Sequence, residues 1–141
     1  MSVVHNENKS ALQERFVLAV APWIDRSGAL QWLAQIDIQG YLIVEQVLGA
    51  QDIVRQREAL IPWINRGPRG RNVFEGTRTN RVYAMLAKNP IFAELIAHPL
   101  ALAFAEYYLG ASCLLSACLA INLLPGESAQ PWHSDDGHIN V

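Results

Sequence analysis

The chain has 141 residues, enough for one domain with a buried core, and 51% of them are apolar against 17% charged, a globular balance rather than a disordered one. A formal net charge of −2 leaves no broad basic field to hold a nucleic-acid backbone, and the small cluster Arg66, Arg69 and Arg71 sits in Gly/Pro-rich sequence that reads as a solvated loop. Residues 1–9 lack the apolar core of a signal peptide, and Cys113 and Cys118 match neither a disulfide framework nor a common metal motif, so a reducing cytoplasm is the expected compartment.

Residues 1–9 read as a loose tail. Ser10 stands where it can cap a helix running to about Val20, on an apolar stripe of Leu12, Phe16, Val17 and Val20. Pro22 ends or redirects it. Ser27 precedes a second stripe of Leu30, Leu33 and Ile36, which Gly40 stops. Residues 41–44 are β-branched and aromatic, the signature of a short strand. After Gly49, residues 51–64 form an amphipathic pattern on Ile53, Ala59, Leu60 and Trp63, with Pro62 expected to end the helix early. Residues 65–70 are turn material, and 77–88 mix apolar Val82, Met85 and Leu86 with cationic Arg78 and Arg81. Residues 90–96 and 99–109 each open on a proline and read as helices, the second closed by Gly110.

The stretch 107–126 carries no charge and is long enough to cross a bilayer. Gly110, Ser112, Ser116, Asn122 and Pro125 interrupt it, and no Lys or Arg anchors it closely, so a buried strand after a helix end is expected instead. Residues 112–124 then form a long strand or hairpin, Pro125-Gly126 a turn, and 130–135 and 138–141 the next strand segments. The layout is one partial α+β domain: a tail and first helix over 1–28, mainly helical support with a short strand over 29–110, and a β-rich part beginning at 111–141. So few strands would leave open apolar edges, and the chain is therefore expected to be a fragment of a longer protein.

The chemistry is carried by Gln130-Pro131-Trp132-His133-Ser134-Asp135-Asp136. On a strand, residues i and i+2 share a face, so His133 and Asp135 project together. An imidazole nitrogen beside a carboxylate oxygen suits Fe(II), whose facial triad needs this pair and one further His. Alone, His-x-Asp is a weak pattern that a solvated loop explains better. Gln130 either bonds the shell of a metal site or satisfies a turn. Trp132 alternates away from His133 and is expected in the core. Asp136 reads as a strand-end acceptor, and His138 faces the opposite side of the strand from His133. The spacing of His133, Asp135 and His138 also admits a metal-dependent hydrolase of the metallo-β-lactamase type, but Asp135 and Gly137 stand where that pattern needs a His and an acid.

The stretch from Leu123-Leu124-Pro125-Gly126 through Gln130 to His133-Ser134-Asp135 resembles the phytanoyl-CoA dioxygenase family. The likeness continues upstream in Gly40-Tyr41-Leu42-Ile43-Val44, in Thr77-Arg78-Thr79-Asn80-Arg81-Val82-Tyr83, and in His98-Pro99-Leu100 with Tyr108-Leu109-Gly110. The resemblance covers roughly 29–141 in the right order. It implies a double-stranded β-helix, or jelly roll, with helices on one side and here incomplete. It implies His133 and Asp135 as two of three Fe(II) ligands, and 2-oxoglutarate as a co-substrate decarboxylated while a small organic or acyl substrate is hydroxylated. Asp135 speaks for hydroxylation over halogenation, which needs a small residue there. Arg81, in the pre-barrel segment, is placed to reach the co-substrate carboxylate, or else to form a surface salt bridge. The family's second ligating His and its oxoglutarate-binding Arg lie beyond Val141, so the 141-residue chain is expected to bind iron weakly and not to turn over. The non-catalytic alternative is a truncated relative that binds a partner through apolar surface. The expected partner is a small-molecule substrate, with neither nucleic acid nor membrane.

Overall fold

Local signals account for most of the helices in the computed structural model, which describes residues 9–134. Helix α1 (Lys9–Val20) buries Phe16, Val17 and Val20 of its expected stripe, while Ser10 lies inside the helix rather than at its cap. Helix α2 (Arg26–Gln39) is capped not at Ser27 but at Asp25, whose carboxylate accepts the Gly28 N–H at 2.8 Å. Its end is the expected one: Gly40 takes φ 80° and returns its N–H to the Ile36 carbonyl at 2.8 Å. Helix α3 (Ala50–Ile64) runs through Pro62, contrary to expectation. Proline removes one backbone bond there, but Glu58 and Pro62 are both exposed, so water can satisfy the carbonyl. The helix closes with Asn65 N–H on the Ile61 carbonyl at 3.2 Å.

Two one-turn helices, α4 (Met85–Lys88) and α5 (Phe92–Ile96), lead to α6 (Pro99–Leu109). The α6 boundaries match its punctuation: His98 Nδ1 accepts the Leu100 N–H at 3.3 Å, Pro99 occupies the first turn, and Gly110 ends it at φ 88°. Helices α1, α2 and α6 share one core of Phe16, Val17, Val20, Ala29, Leu33, Leu100 and Ala103. A second core joins Val82, Met85 and Phe92 to Leu60, Trp63 and Ile64 of α3.

The sheet among the described residues is one antiparallel pair, β1 (Thr79–Val82) with β2 (Ala120–Leu123), in the register Thr79–Leu123 to Val82–Ala120. Residues 68–70 line the other edge of β1, with a bridge from Arg69 to Asn80 and the Arg81 N–H on the Pro68 carbonyl at 2.9 Å. The composition is therefore mixed helix and small antiparallel sheet, the α+β content expected. Three strand expectations are not met. Residues 41–44 form no strand, only four residues of 112–124 are in a strand, and 130–134 form none. Strand propensity needs a neighbour to complete its ladder, and among the described residues 41–44, 112–119 and 130–134 have no strand beside them. Trp132, expected in the core, is fully exposed, since without a ladder the alternation that would bury it has no second layer. The uncharged run 107–126 is divided between the end of α6, an irregular stretch and β2, and no helix among the described residues is long and apolar enough to cross a membrane.

Candidate functional site

The site is built on the loop 70–78, which leads from α3 into β1. The Asn72 side chain accepts the Glu75 N–H at 2.8 Å and its carbonyl accepts the Gly76 N–H at 3.0 Å, curling the loop into a turn. Gly76 has φ 84°, and a Cβ there would lie 2.3 Å from Thr79 Oγ1 and 2.7 Å from Glu127 Oε2, so only glycine closes the turn. Glu127, just past the Pro125-Gly126 turn, latches this corner. Its carboxylate accepts the Arg78 N–H, the Thr79 hydroxyl at 3.0 Å and the Ser128 N–H at 2.9 Å. The Ser128 N–H first, with the Arg78 N–H, the Thr79 hydroxyl and the Arg78 charge, holds the Glu127 carboxyl below its ordinary range.

Glu75 pairs with Arg71, which donates its backbone N–H at 2.7 Å and its guanidinium Nε–H at 3.0 Å. The Arg71 side chain, then its backbone N–H, brings the Glu75 carboxyl down to about 2. Because the folded value lies below the ordinary 4.5, this pairing stabilises the loop above about pH 4.5 and is lost as pH falls towards about 2. Amide protection factors at Glu75 and Gly76 should therefore drop between pH 5 and pH 2.5, and Glu75→Gln should remove the part of the drop that the Arg71 pairing contributes, leaving the part due to Glu127. Equal protection across that window in the unaltered chain would contradict the latch.

Three residues selected from sequence converge on this loop. Arg81, from β1, donates its Nε–H at 3.2 Å and one Nη–H at 2.8 Å to the Glu75 carbonyl, using two of its five donors. Its guanidinium thus meets a backbone carbonyl rather than the carboxylate of the alternative, surface-salt-bridge reading. Gln130 donates its side-chain N–H to the carbonyl of the adjacent Phe74 at 2.5 Å. The His133 ring stands edge-to-face with the Phe74 ring, centroids 4.9 Å apart at 71°. His133 Nδ1 lies 2.8 Å from the Pro131 carbonyl, which accepts a hydrogen bond from it when Nδ1 carries a proton. A ring nitrogen held by a backbone carbonyl is an arrangement shared by metal-ligating histidines.

Arg81 and Gln130 line one cavity of about 120 Å³, together with Phe74, Glu75, Ile121 and Leu123. This is smaller than an ordinary ligand pocket and makes one corner of a site. A larger cavity of about 530 Å³ opens in the helical half, between α2, residues 41–48 and α6. Its described lining has no charged side chain, and the Nδ1 of its one histidine, His98, is taken by the Leu100 N–H. Asp135, Asp136 and His138 lie outside the described residues, and no group of three metal-capable side chains is gathered among those described.

Phe74, Gly76 and Glu127 were not selected from sequence. The available signals were a lone aromatic in an otherwise polar, Gly-rich loop and a carboxylate directly after a Pro-Gly turn. No protein-family model matches the chain, and no solved structure matches it with significance.

Proposed function

We propose that this chain contributes His133 and Asp135 to a non-haem Fe(II), 2-oxoglutarate-dependent dioxygenase site, in an α+β domain whose β1–β2 pair belongs to a jelly roll. The observation that supports the reading most is convergence. His133, Gln130 and Arg81 were selected for different reasons and lie up to 52 residues apart (133 − 81 = 52), yet all three close on Phe74 and Glu75. Chance placement of a His-x-Asp pattern in a solvated loop gives no reason for this.

His133 through Nε2 and Asp135 through its carboxylate would hold two positions of the metal. Bound Fe(II) would supply oxidation by dioxygen, coupling decarboxylation of 2-oxoglutarate to hydroxylation of a small organic or acyl substrate. Arg81 supplies positive charge and donors for the co-substrate carboxylate, and Gln130 fixes the segment that carries His133. A reducing cytoplasm belongs to the same reading, in keeping with the unbridged Cys113 and Cys118.

Calorimetric titration of 2-oxoglutarate into the Mn(II)-loaded chain tests the proposal. Arg81→Ala should weaken binding roughly tenfold or more, the usual range for a hydrogen bond to a charged group. Mn(II) binding that ignores His133→Ala, or 2-oxoglutarate binding that ignores Arg81→Ala, would sink it. A metal-dependent hydrolase would instead select Zn(II) over Fe(II). A second, non-catalytic reading is favoured by the exposure of Leu114, Leu115, Ile121, Leu123 and Trp132, which would serve a partner-binding surface. Strong apolar-dye binding without any 2-oxoglutarate affinity would select it.

A further inference from the structure

We infer that the cavity of about 530 Å³ between α2, residues 41–48 and α6 is a second binding site, shaped for an uncharged apolar small molecule such as an aliphatic alcohol. Among the described residues it shares no lining residue with the corner formed by Arg81 and Gln130, so the inference does not depend on the reading of His133.

The volume lies in the ordinary range of ligand pockets. The cavity also stands on residues that folding has already fixed. Leu100 of α6 belongs to the first core, and Phe104, one turn on, packs edge-to-face against Phe16 at 4.8 Å. Val44 and Val47, from the wall 41–48, pack on the same core. That wall has no strand ladder and is shaped by its backbone instead. Gly40 enters it at φ 80°, and Gln46 takes φ 57° within it. Left-handed backbone at a non-glycine residue is strained, persists only where its surroundings hold it, and recurs at ligand clamps. Here it lies between Val44 and Val47, and both line the cavity.

The chemistry of the lining narrows the ligand. No charged side chain lines the cavity among the described residues. His98 Nδ1 accepts the Leu100 N–H at 3.3 Å, and the Tyr108 hydroxyl donates to the Asp37 carboxylate at 3.1 Å. An anionic head would find no cation in the lining and would meet the charge of Asp37 beside Tyr108. Burying an unpaired charge is costly, so the fitting ligand is apolar and neutral.

Decanol titrated into the full chain, followed by amide spectra, tests the site. It should produce saturable shifts at residues 42–48 and 100–108, and decanoate should bind about tenfold more weakly or worse, having an unpaired charge to bury. Ala101 lines the cavity from an exposed position on α6, so Ala101→Phe fills it without entering a core. That variant should weaken decanol about tenfold or more. Leu48→Trp, from the other wall, should do the same, so the decision does not rest on the folding of one variant. Leu114→Ser, in the exposed apolar stretch outside the cavity, should leave decanol binding unchanged. Absence of saturable shifts, equal binding of decanoate, or binding that responds to Leu114→Ser and ignores both filling variants would overturn the inference. If the same amides shift with protein concentration alone, a second copy of the chain occupies the cavity and the inference also fails.

Discussion

His133→Ala is expected to cost the chain at least a hundredfold in affinity for Fe(II) or its surrogate Co(II), about 2.7 kcal/mol. A triad site offers three protein ligands, and the described residues gather no alternative cluster to substitute for a lost imidazole. The argument turns on Nε2. Nδ1 lies 2.8 Å from the Pro131 carbonyl, and a histidine held in that way ligates through its other ring nitrogen. His133→Ala should leave unfolding unchanged, because the residue is exposed and belongs to neither core. Asp135→Asn is the companion variant, exchanging an anionic ligand for a neutral one at the same length. Anaerobic equilibrium dialysis measures both. Affinity retained within threefold in His133→Ala would remove the metal site from further consideration.

Phe16→Ala is expected to lower folding stability by about 3–5 kcal/mol, the range for deleting a fully buried aromatic side chain. Phe16 is 2% exposed and stands where α1, α2 and α6 meet. Its ring packs edge-to-face on Phe104 at 4.8 Å and tilted against Tyr107 at 5.6 Å, so truncation leaves a cavity lined by rings that cannot collapse into it. A domain of this size has a net stability of about 5–15 kcal/mol, so the loss is a large fraction of the total. The urea midpoint should fall with little change in slope, and Phe16→Leu should recover much of it. A loss below about 1 kcal/mol would mean that the three helices do not share one core.

How far the sequence could be read depended on the range of each interaction. Helix α6 was legible to the residue because its signals are local: a proline in its first turn, an uninterrupted apolar run and a glycine after the last turn. Gly40 closes α2 for the same reason. Cap identity was less secure, since Asp25 and Ser27 compete within one turn and the geometry of the preceding chain chooses between them. Pro62 was read as a terminator because the rule describes a helix interior, whereas here the affected carbonyl is near the exposed end.

The strands failed for a different reason. Residues 41–44 and 130–134 have the β-branched or alternating character of strands, but a strand is a property of two segments. Among the described residues only β1 and β2 find each other, and only there is a ladder formed. The same limit governs the candidate site. His133, Gln130 and Arg81 could be picked out by residue type, spacing and the family resemblance. That they meet at Phe74 and Glu75 depends on contacts across 6 to 59 residues of chain (81 − 75 and 133 − 74), which no local pattern encodes. By itself, the sequence determined most of the helices, the mixed α+β content and which candidate side chains have metal-ligating donors, because propensity, capping and donor type belong to single residues or single turns. Only the tertiary structure decided that Phe74, Gly76 and Glu127 belong with them, because packing joins segments that the chain keeps apart.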